Sequence, residues 1–509
     1  MTVLVLGDCL TRFGPLSADG ASPRVLMIEA REFARRKPYH PHKLTLVFSA
    51  MRHFRDALRE EGHTVEYREV DTFADGFDAH FAAHPGDRLV TTRRSAHGAT
   101  DRLRELVEAR GGTVAFREDP RFLCSPEAFD RWADGDPPYR HENFYRHMRR
   151  ETGYLMADGD PVGGAWNFDD ENREFPGEGY DPPEPPRFDP DGTTAAVAEW
   201  VAEAYGDEGY DGPPYGTGWA DPEPFFWPVT RPDARAALSS FVEERLPAFG
   251  PYQDAMLEGE WSMNHALVSS SLNVGLLRPD EVIEAAIDAH ESGDAPIESV
   301  EGFVRQVLGW REFVRHAYRR EPGMAGANAL EATEPLPEFF WTGETEMACL
   351  ADAVEGVRAR GYSHHIQRLM ILSNFATTFG VEPKQLNEWF HAGYVDAYHW
   401  VTTPNVVGMG TFGTDSLSTK PYAASANYVD RMGDYCSGCP YYKTKTTGEG
   451  ACPFNALYWE FLGRNESRLR SNHRMGLVYS HWDDKDDDER EAIRERAAEI
   501  RRLAADGEL

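Results

Sequence analysis

The sequence predicts a two-part fold: an N-terminal α/β unit built on a parallel sheet, followed by a larger all-α unit. Three observations carry this prediction. Residues 1–125 alternate short β-rich runs with helical ones, the pattern of a parallel sheet covered on both faces. From Arg231 to about Trp482 apolar residues recur at three- and four-residue spacing, among many Trp, Tyr, Phe and Met. Between them lies a stretch rich in Pro, Gly, Asp and Glu, which reads as linker and surface loop. At 509 residues the chain is too long for one compact core.

In chain order, TVLVLG, KLTLVFSA, TVEYREV, DRLVTT and GTVAFRE read as strands. VLMIEAREFARR, MRHFRDALREEG, FDAHFAAH and TDRLRELVEARG read as the helices between them. Ligand crevices in such sheets form at the carboxyl ends of strands, which selects Gly7-Asp8-Cys9 and Ser49-Ala50-Met51-Arg52. No GxGxxG or P-loop follows a strand, so an ordinary nucleotide site is not signalled. Residues 126–235 form a connector. It opens with a helix bearing an aromatic–basic face, PPYRHENFYRHMRRETGYLM, and carries acidic loops around one further helix, TTAAVAEWVAEAYG. Residues 236–482 are the helical domain, with Pro early in RPDARAALSSFVEERLPAFG and PDEVIEAAIDAHESG, where its missing N–H costs nothing. Residues 483–509 read as a charged terminal helix with a frayed end.

Formal net charge is −32, and seven of the 53 basic residues are Lys. A solvated acidic surface is the first meaning of this balance. It argues against non-specific DNA affinity but leaves room for a local basic cleft. The N-terminus has no basic region or cleavage pattern, and no apolar stretch approaches the roughly 20 residues of a membrane span. A soluble, cytoplasmic protein with no membrane partner is expected.

Chemistry concentrates between Gly361 and Leu462. CSGC sets the thiols of Cys436 and Cys439 on one tight turn, and Cys452 follows after twelve intervening residues. Cys349, far upstream, is the candidate fourth. Four thiolates suit an iron–sulfur cluster or a structural zinc, and this spacing does not separate the two. A lone cysteine at 349 would otherwise be a buried small residue, as Cys9 and Cys124 are expected to be. His364 and His365 enter an apolar run. A single core histidine is commonplace, whereas an adjacent pair suggests acid–base work. Arg368 shares a helical face with His364 and, if buried, needs an acid such as Asp396. Ordinary packing accounts for any one of Trp310, Trp341, Trp389, Trp400, Tyr398, Tyr422 and Tyr428; together they could line a flat cofactor. The hydroxyls of SSSLNVGLLRP suit a phosphate, although N-capping alone would explain one of them.

Taken together, VLVLGD, VLMIEA, FSAMRHF, GGAWNFDDENR, SSSLNVGLL, RQVLGWREFVR, YSHHIQRLM, PNVVGM, KPYAASANYVDRMGDYC and ACPFNALYW resemble the photolyase/cryptochrome family, in particular its iron–sulfur branch of prokaryotic (6-4) photolyases. The resemblance covers nearly the whole chain. Position 9 is Cys where the family has Gln, Phe390 stands where it can carry Tyr, and the acidic loop between Gly177 and Pro224 is expanded. The resemblance implies an α/β antenna domain holding 6,7-dimethyl-8-ribityllumazine and a helical domain holding FAD. It implies that Cys349, Cys436, Cys439 and Cys452 ligate a 4Fe–4S cluster of structural role. Ser269, Ser270, Ser271 and Leu272 would hold the flavin phosphates. Trp310, Glu312, Arg368, Asp396 and Asn405 would lie near the flavin, and Trp341 and Trp389 would relay electrons to it. Asp169 and Arg173 would grip DNA, and Tyr422 and Met409 would line the lesion pocket.

The implied activity is light-driven repair of UV-damaged DNA by a monomer. A flipped-out (6-4) lesion would receive an electron from excited reduced FAD, with His365 as acid and His364 in support. The His-His pair ranks the (6-4) lesion above a cyclobutane dimer. A blue-light photoreceptor with the same cofactors is the second class. A non-photochemical iron–sulfur or zinc protein that binds nucleic acid is the third.

Overall fold

Five parallel strands, β1 (Thr2–Val5), β2 (Arg24–Ala30), β3 (Val65–Val70), β4 (Arg88–Thr92) and β5 (Thr113–Arg117), form one sheet in the order β3-β2-β1-β4-β5. The computed structural model describes residues 1–17, 23–135, 139–177, 179–206 and 218–509. The two central aliphatic runs, TVLV of β1 and VLMIEA of β2, are buried along their whole length, as strands covered on both faces must be. The edge strands β3 and β5 are only half-buried. Helices α1 (Pro41–Glu60), α2 (Phe73–Ala83) and α3 (Ala99–Glu108) connect them.

Two adjacent assignments exchange identity. VLMIEA, expected to begin a helix, is β2, and KLTLVFSA, expected as a strand, is the first half of α1. Every residue from Pro41 to Met51 is buried, so α1 shows no polar stripe there, and a short apolar run alone does not separate helix from strand. Ser49–Arg52 is therefore a helical segment and not a crevice loop. Gly7-Asp8-Cys9 does follow β1, where Asp8 pairs with Arg94.

The N-terminal end of α1 is buried because it plugs into the helical unit. Lys43 Nζ donates to the carbonyls of His391 (2.6 Å) and Ala397 (2.8 Å), and burial pushes its ammonium down to about 7. Leu10 N donates to Val274 O at 2.6 Å. Arg121, paired with buried Asp119, donates to Asn273 O at 2.6 Å. The connector helices are His141–Thr152 and Gly192–Tyr205. Trp200 of the second packs edge-on against Phe48 of α1 at 5.1 Å. Of the acidic loop, residues 178 and 207–217 lie outside the described residues.

The helical unit runs from Arg231 onward. Among the described residues its helices are broken by four π turns: Phe241–Arg245, Arg305–Arg311, Gln367–Ser373 and Pro404–Gly410. The tail is not frayed. Helix Asp487–Asp506 buries Ile493, Ala497, Ile500 and Ala504, and Glu346 N donates to Leu509 O at 3.0 Å. An apolar stripe at i, i+4, i+7 and i+11 sits beneath the charge, so the tail closes the core beside Cys349 and Cys452. Among the described residues no helix is long and apolar enough to cross a membrane.

Candidate cofactor cavity and cysteine pocket

Three of the four π turns face one cavity of about 300 Å³. A π turn widens the helix by one residue and is frequent at functional sites. Here the turns aim Trp310, Arg368, Leu369, Asn405 and Met409 inward. At its centre Arg368 Nη1 meets the two Asp396 carboxylate oxygens at 3.1 and 3.2 Å. Ser269 Oγ donates to the same carboxylate at 2.7 Å, and Asn273 Nδ2 to the Asp396 carbonyl at 2.8 Å. Burial works against the Arg368 charge, and the adjacent Asp396 carboxylate, with Tyr394 and Tyr362, more than restores it. The Tyr394 and Tyr362 rings flank the guanidinium at 4.2 and 5.0 Å, adding cation–π attraction. Trp310 Nε1 donates to Asn405 Oδ1 at 2.8 Å.

His365 lines the cavity. Its side chain is exposed where the wall opens, so water entering the free cavity limits its desolvation. Burial, then the Arg368 charge, lowers it to about 4. His364 is fully buried behind it and stacks on His265 at 4.9 Å, 15° between planes. Burial and then His265 hold His364 well below the usual histidine range. The two histidines are therefore neutral at pH 7. Buried His265 Nε2, Arg311 Nη2 and Ser270 Oγ, at or beside the cavity, have no hydrogen-bond partner. Such orphans in a native core call for water or a ligand. An apolar, aromatic cavity with one central ion pair and unpaired donors at its rim fits a large, flat, anionic cofactor.

Several expected residues lie elsewhere. Of the three serines only Ser269 lines the cavity, with Leu272; Ser270 and Ser271 are buried behind it. Glu312 is buried against Cys124, whose N–H it accepts at 3.0 Å. Trp389 is fully buried, donates to Phe340 O at 2.9 Å, and packs edge-on against the cavity residues Phe390 (5.1 Å) and Tyr394 (5.9 Å). Trp341 packs edge-on against Trp219 at 5.0 Å. Tyr422 is 40% exposed, outside the cavity lining. Asp169 pairs with Arg305 at 2.5 Å, and Arg173 is exposed, its charge acting on Asp169 and Tyr422.

The fold brings the four distant cysteines together. Cys349, Cys436, Cys439 and Cys452 line one small pocket with Tyr435, Val429 and Phe454, and all are free thiols. Cys349 starts helix Ala348–Arg360, Cys436 lies in the short turn Tyr435–Gly438, and Cys452 precedes helix Pro453–Arg464. No three of these sulfurs fall within 4.8 Å of one another. Tetrahedral zinc with bonds of about 2.3 Å would hold them about 3.8 Å apart. The pocket suits a centre larger than a single ion. Cys9 and Cys124 are buried, and burial pushes their thiols up to about 11 and 12.

Sequence reasoning missed three features. His265 stacks on His364, but it lies a hundred residues earlier with no motif around it. Tyr362 and Tyr394 sandwich Arg368, and only the adjacency of Tyr362 to the His-His pair hinted at this. Gln367 Nε2 donates to Asp352 Oδ2 and Tyr435 OH, both at 3.0 Å, while its Oε1 accepts from His364 N at 3.2 Å. That bridge joins the histidine turn to the residue beside Cys436.

This architecture is that of the photolyases and cryptochromes. A bacterial class III photolyase from Agrobacterium tumefaciens superposes with a TM-score of 0.58 at 15% identity, over 85% of this chain and 86% of that one. A Synechocystis cryptochrome gives 0.57 at 13%, over 99% and 98%. The family described as "Deoxyribodipyrimidine photo-lyase-related protein" matches residues 3–209. A protein of Agrobacterium fabrum named (6-4) photolyase is 40% identical over 507 residues, spanning 97% of this chain and 98% of its own. The chain belongs to the photolyase/cryptochrome family.

Proposed function

We propose that this protein is a DNA photolyase that reverses (6-4) photoproducts in UV-damaged DNA under blue light, working as a cytoplasmic monomer. The observation that carries the reading is His365 on the wall of the Arg368–Asp396 cavity, with neutral His364 stacked behind it. Whole-length kinship to a protein named (6-4) photolyase supports it.

Reduced FAD, when bound, supplies the photoexcited electron. Ser269, Arg368 and Asp396 would hold it, with Trp310 and Asn405 fixed against one another beside it. The Arg368 guanidinium, fixed between two tyrosines, sets positive charge where negative charge develops. That preorganisation does not require water to rearrange. Met409 and the other apolar walls exclude water from the reacting lesion. His365 carries its proton on a neutral imidazole: it would donate a hydrogen bond from a ring N–H, and its second ring nitrogen would take the proton of the migrating hydroxyl as that oxygen bonds the neighbouring base and return it as the oxygen's first bond breaks. It acts as an acid only once a neighbouring anion raises its affinity for a proton. Trp389 and Trp341 would feed electrons through the Phe390–Tyr394 wall. The four cysteines would hold a structural 4Fe–4S cluster, and the α/β unit a ribityllumazine antenna. Arg173 and Asp169, outside the cavity, would contact the DNA backbone and opened bases.

Defined lesion oligonucleotides under blue light, with reduced purified protein, test the reading. Restored bases from the (6-4) lesion, lost in H365A, are expected. Repair of cyclobutane dimers alone would reassign the substrate, and flavin with no repair of either lesion would make the protein a photoreceptor.

A further inference from the structure

At the sheet edge, outside the cofactor cavity and the cysteine pocket, His80 of α2 and His84, which caps its C-terminal end, converge on one carboxylate oxygen of β3. His80 Nδ1 lies 2.9 Å from Glu66 Oε2, and His84 Nε2 lies 3.6 Å from the same oxygen. His80 and His84 are one helical turn apart and share a face. Among the described residues these are the His, Cys, Asp or Glu ligand atoms that gather three at a time within 4.8 Å. A tetrahedral ion with bonds of about 2.0–2.1 Å would hold its ligand atoms about 3.3 Å apart, so each ring would shift by a few tenths of an ångström from the 2.9 and 3.6 Å seen here.

The surroundings are those of a metal site. Glu66 Oε1 is occupied by Arg68 at 2.7 Å, which fixes the carboxylate and leaves Oε2 as the one inward donor. His80 is fully buried, and its Nε2 has no hydrogen-bond partner. That nitrogen lies 3.4 Å from Asp87 Oδ2, where a small rotation of the ring would let it donate to the carboxylate, as metal-bound histidines do. His84 is 29% exposed, so the remaining coordination position opens to water. A buried imidazolium bridging Glu66 and Asp87 would account for His80 alone. The His84 ring also packs against that of His80 at 5.1 Å; its Nε2, 3.6 Å from Glu66 Oε2, is too far for a hydrogen bond yet within reach of a shared ion.

We propose that Glu66, His80 and His84 bind a late first-row divalent ion, zinc by the borderline softness of two imidazoles and one carboxylate, clamping α2 to the edge strand. Binding would displace the proton held between His80 and Glu66. The test uses flavin- and cluster-loaded protein, stripped with a weak chelator, incubated with Zn²⁺ and gel-filtered. Elemental analysis should find one more zinc per chain in wild type than in H84A or E66Q, with flavin and iron content equal in all three. The added zinc should raise the melting temperature of wild type and not of H84A. Equal zinc in wild type and both variants would overturn the proposal.

Discussion

Asp396→Asn isolates the electrostatic centre of the cavity. The amide keeps the shape of the side chain and can still accept from Ser269, but it removes the charge facing Arg368. At 3.1 Å and an effective dielectric of 20, that attraction is about 5 kcal/mol. Arg368 is 24% exposed, towards the cavity, so water recovers part of it, and its two tyrosines hold the cation in place. The expected net loss is about 2–3 kcal/mol, below the 3–5 kcal/mol typical of a broken fully buried pair. Denaturant unfolding of flavin-free protein, followed by near-UV circular dichroism, reads this loss directly. In an R368Q background the same substitution should cost under about 0.5 kcal/mol, because the coupling is gone. The loss should persist at high salt, since a pair in this setting is poorly screened. Flavin occupancy should fall in D396N even where the fold survives. Additive losses in the double variant, or a full flavin complement in D396N, would refute the assignment of this pair as the anchor.

Cys349→Ser should abolish the proposed cluster as completely as C436S, despite its distance in sequence; iron and acid-labile sulfide per chain measure this, and iron retained at the wild-type level would remove Cys349 from the proposed ligand set. The surrounding protein and the Arg368 charge lower the proton affinity of His365, so the His365-dependent part of repair should decline only towards acid, with a midpoint below the ordinary histidine value of about 6.5; a midpoint at or above about 6.5 in the pH–rate profile would refute a neutral His365 in the working enzyme. Ile500→Ala, at a fully buried position of the tail helix, should cost about 2–5 kcal/mol in denaturant unfolding; a loss within about 0.5 kcal/mol would mean that the tail does not close the core.

What the sequence revealed depended on how local each signal was. The CSGC turn and the His-His pair were visible because their residues are adjacent. Cys349 was a guess until the fold carried it to the pocket. Arg368 needed an acid, and Asp396 supplies it because both face one cavity. The β2 and α1 assignments exchanged places because total burial erases the periodicity that tells strand from helix. The tail is the helix its pattern predicts, but its conspicuous charge hides the docking stripe of Ile493, Ala497, Ile500 and Ala504, which needs only four positions. Spacing says nothing of stacking between His265 and His364, which is purely tertiary.

The π turns were also invisible, since one extra residue scarcely disturbs an apolar pattern. They make the cavity unusually sensitive to single-codon deletions. Removing one residue within Gln367–Ser373 would restore an ordinary α-helix, at little cost to the helix itself. It would also turn everything on one side by about 100°, swinging Arg368 away from Asp396 while Ser373 stayed where it is. A substitution such as D396N removes one contact of the cavity, whereas a change in chain length within these three segments displaces a whole face of the site.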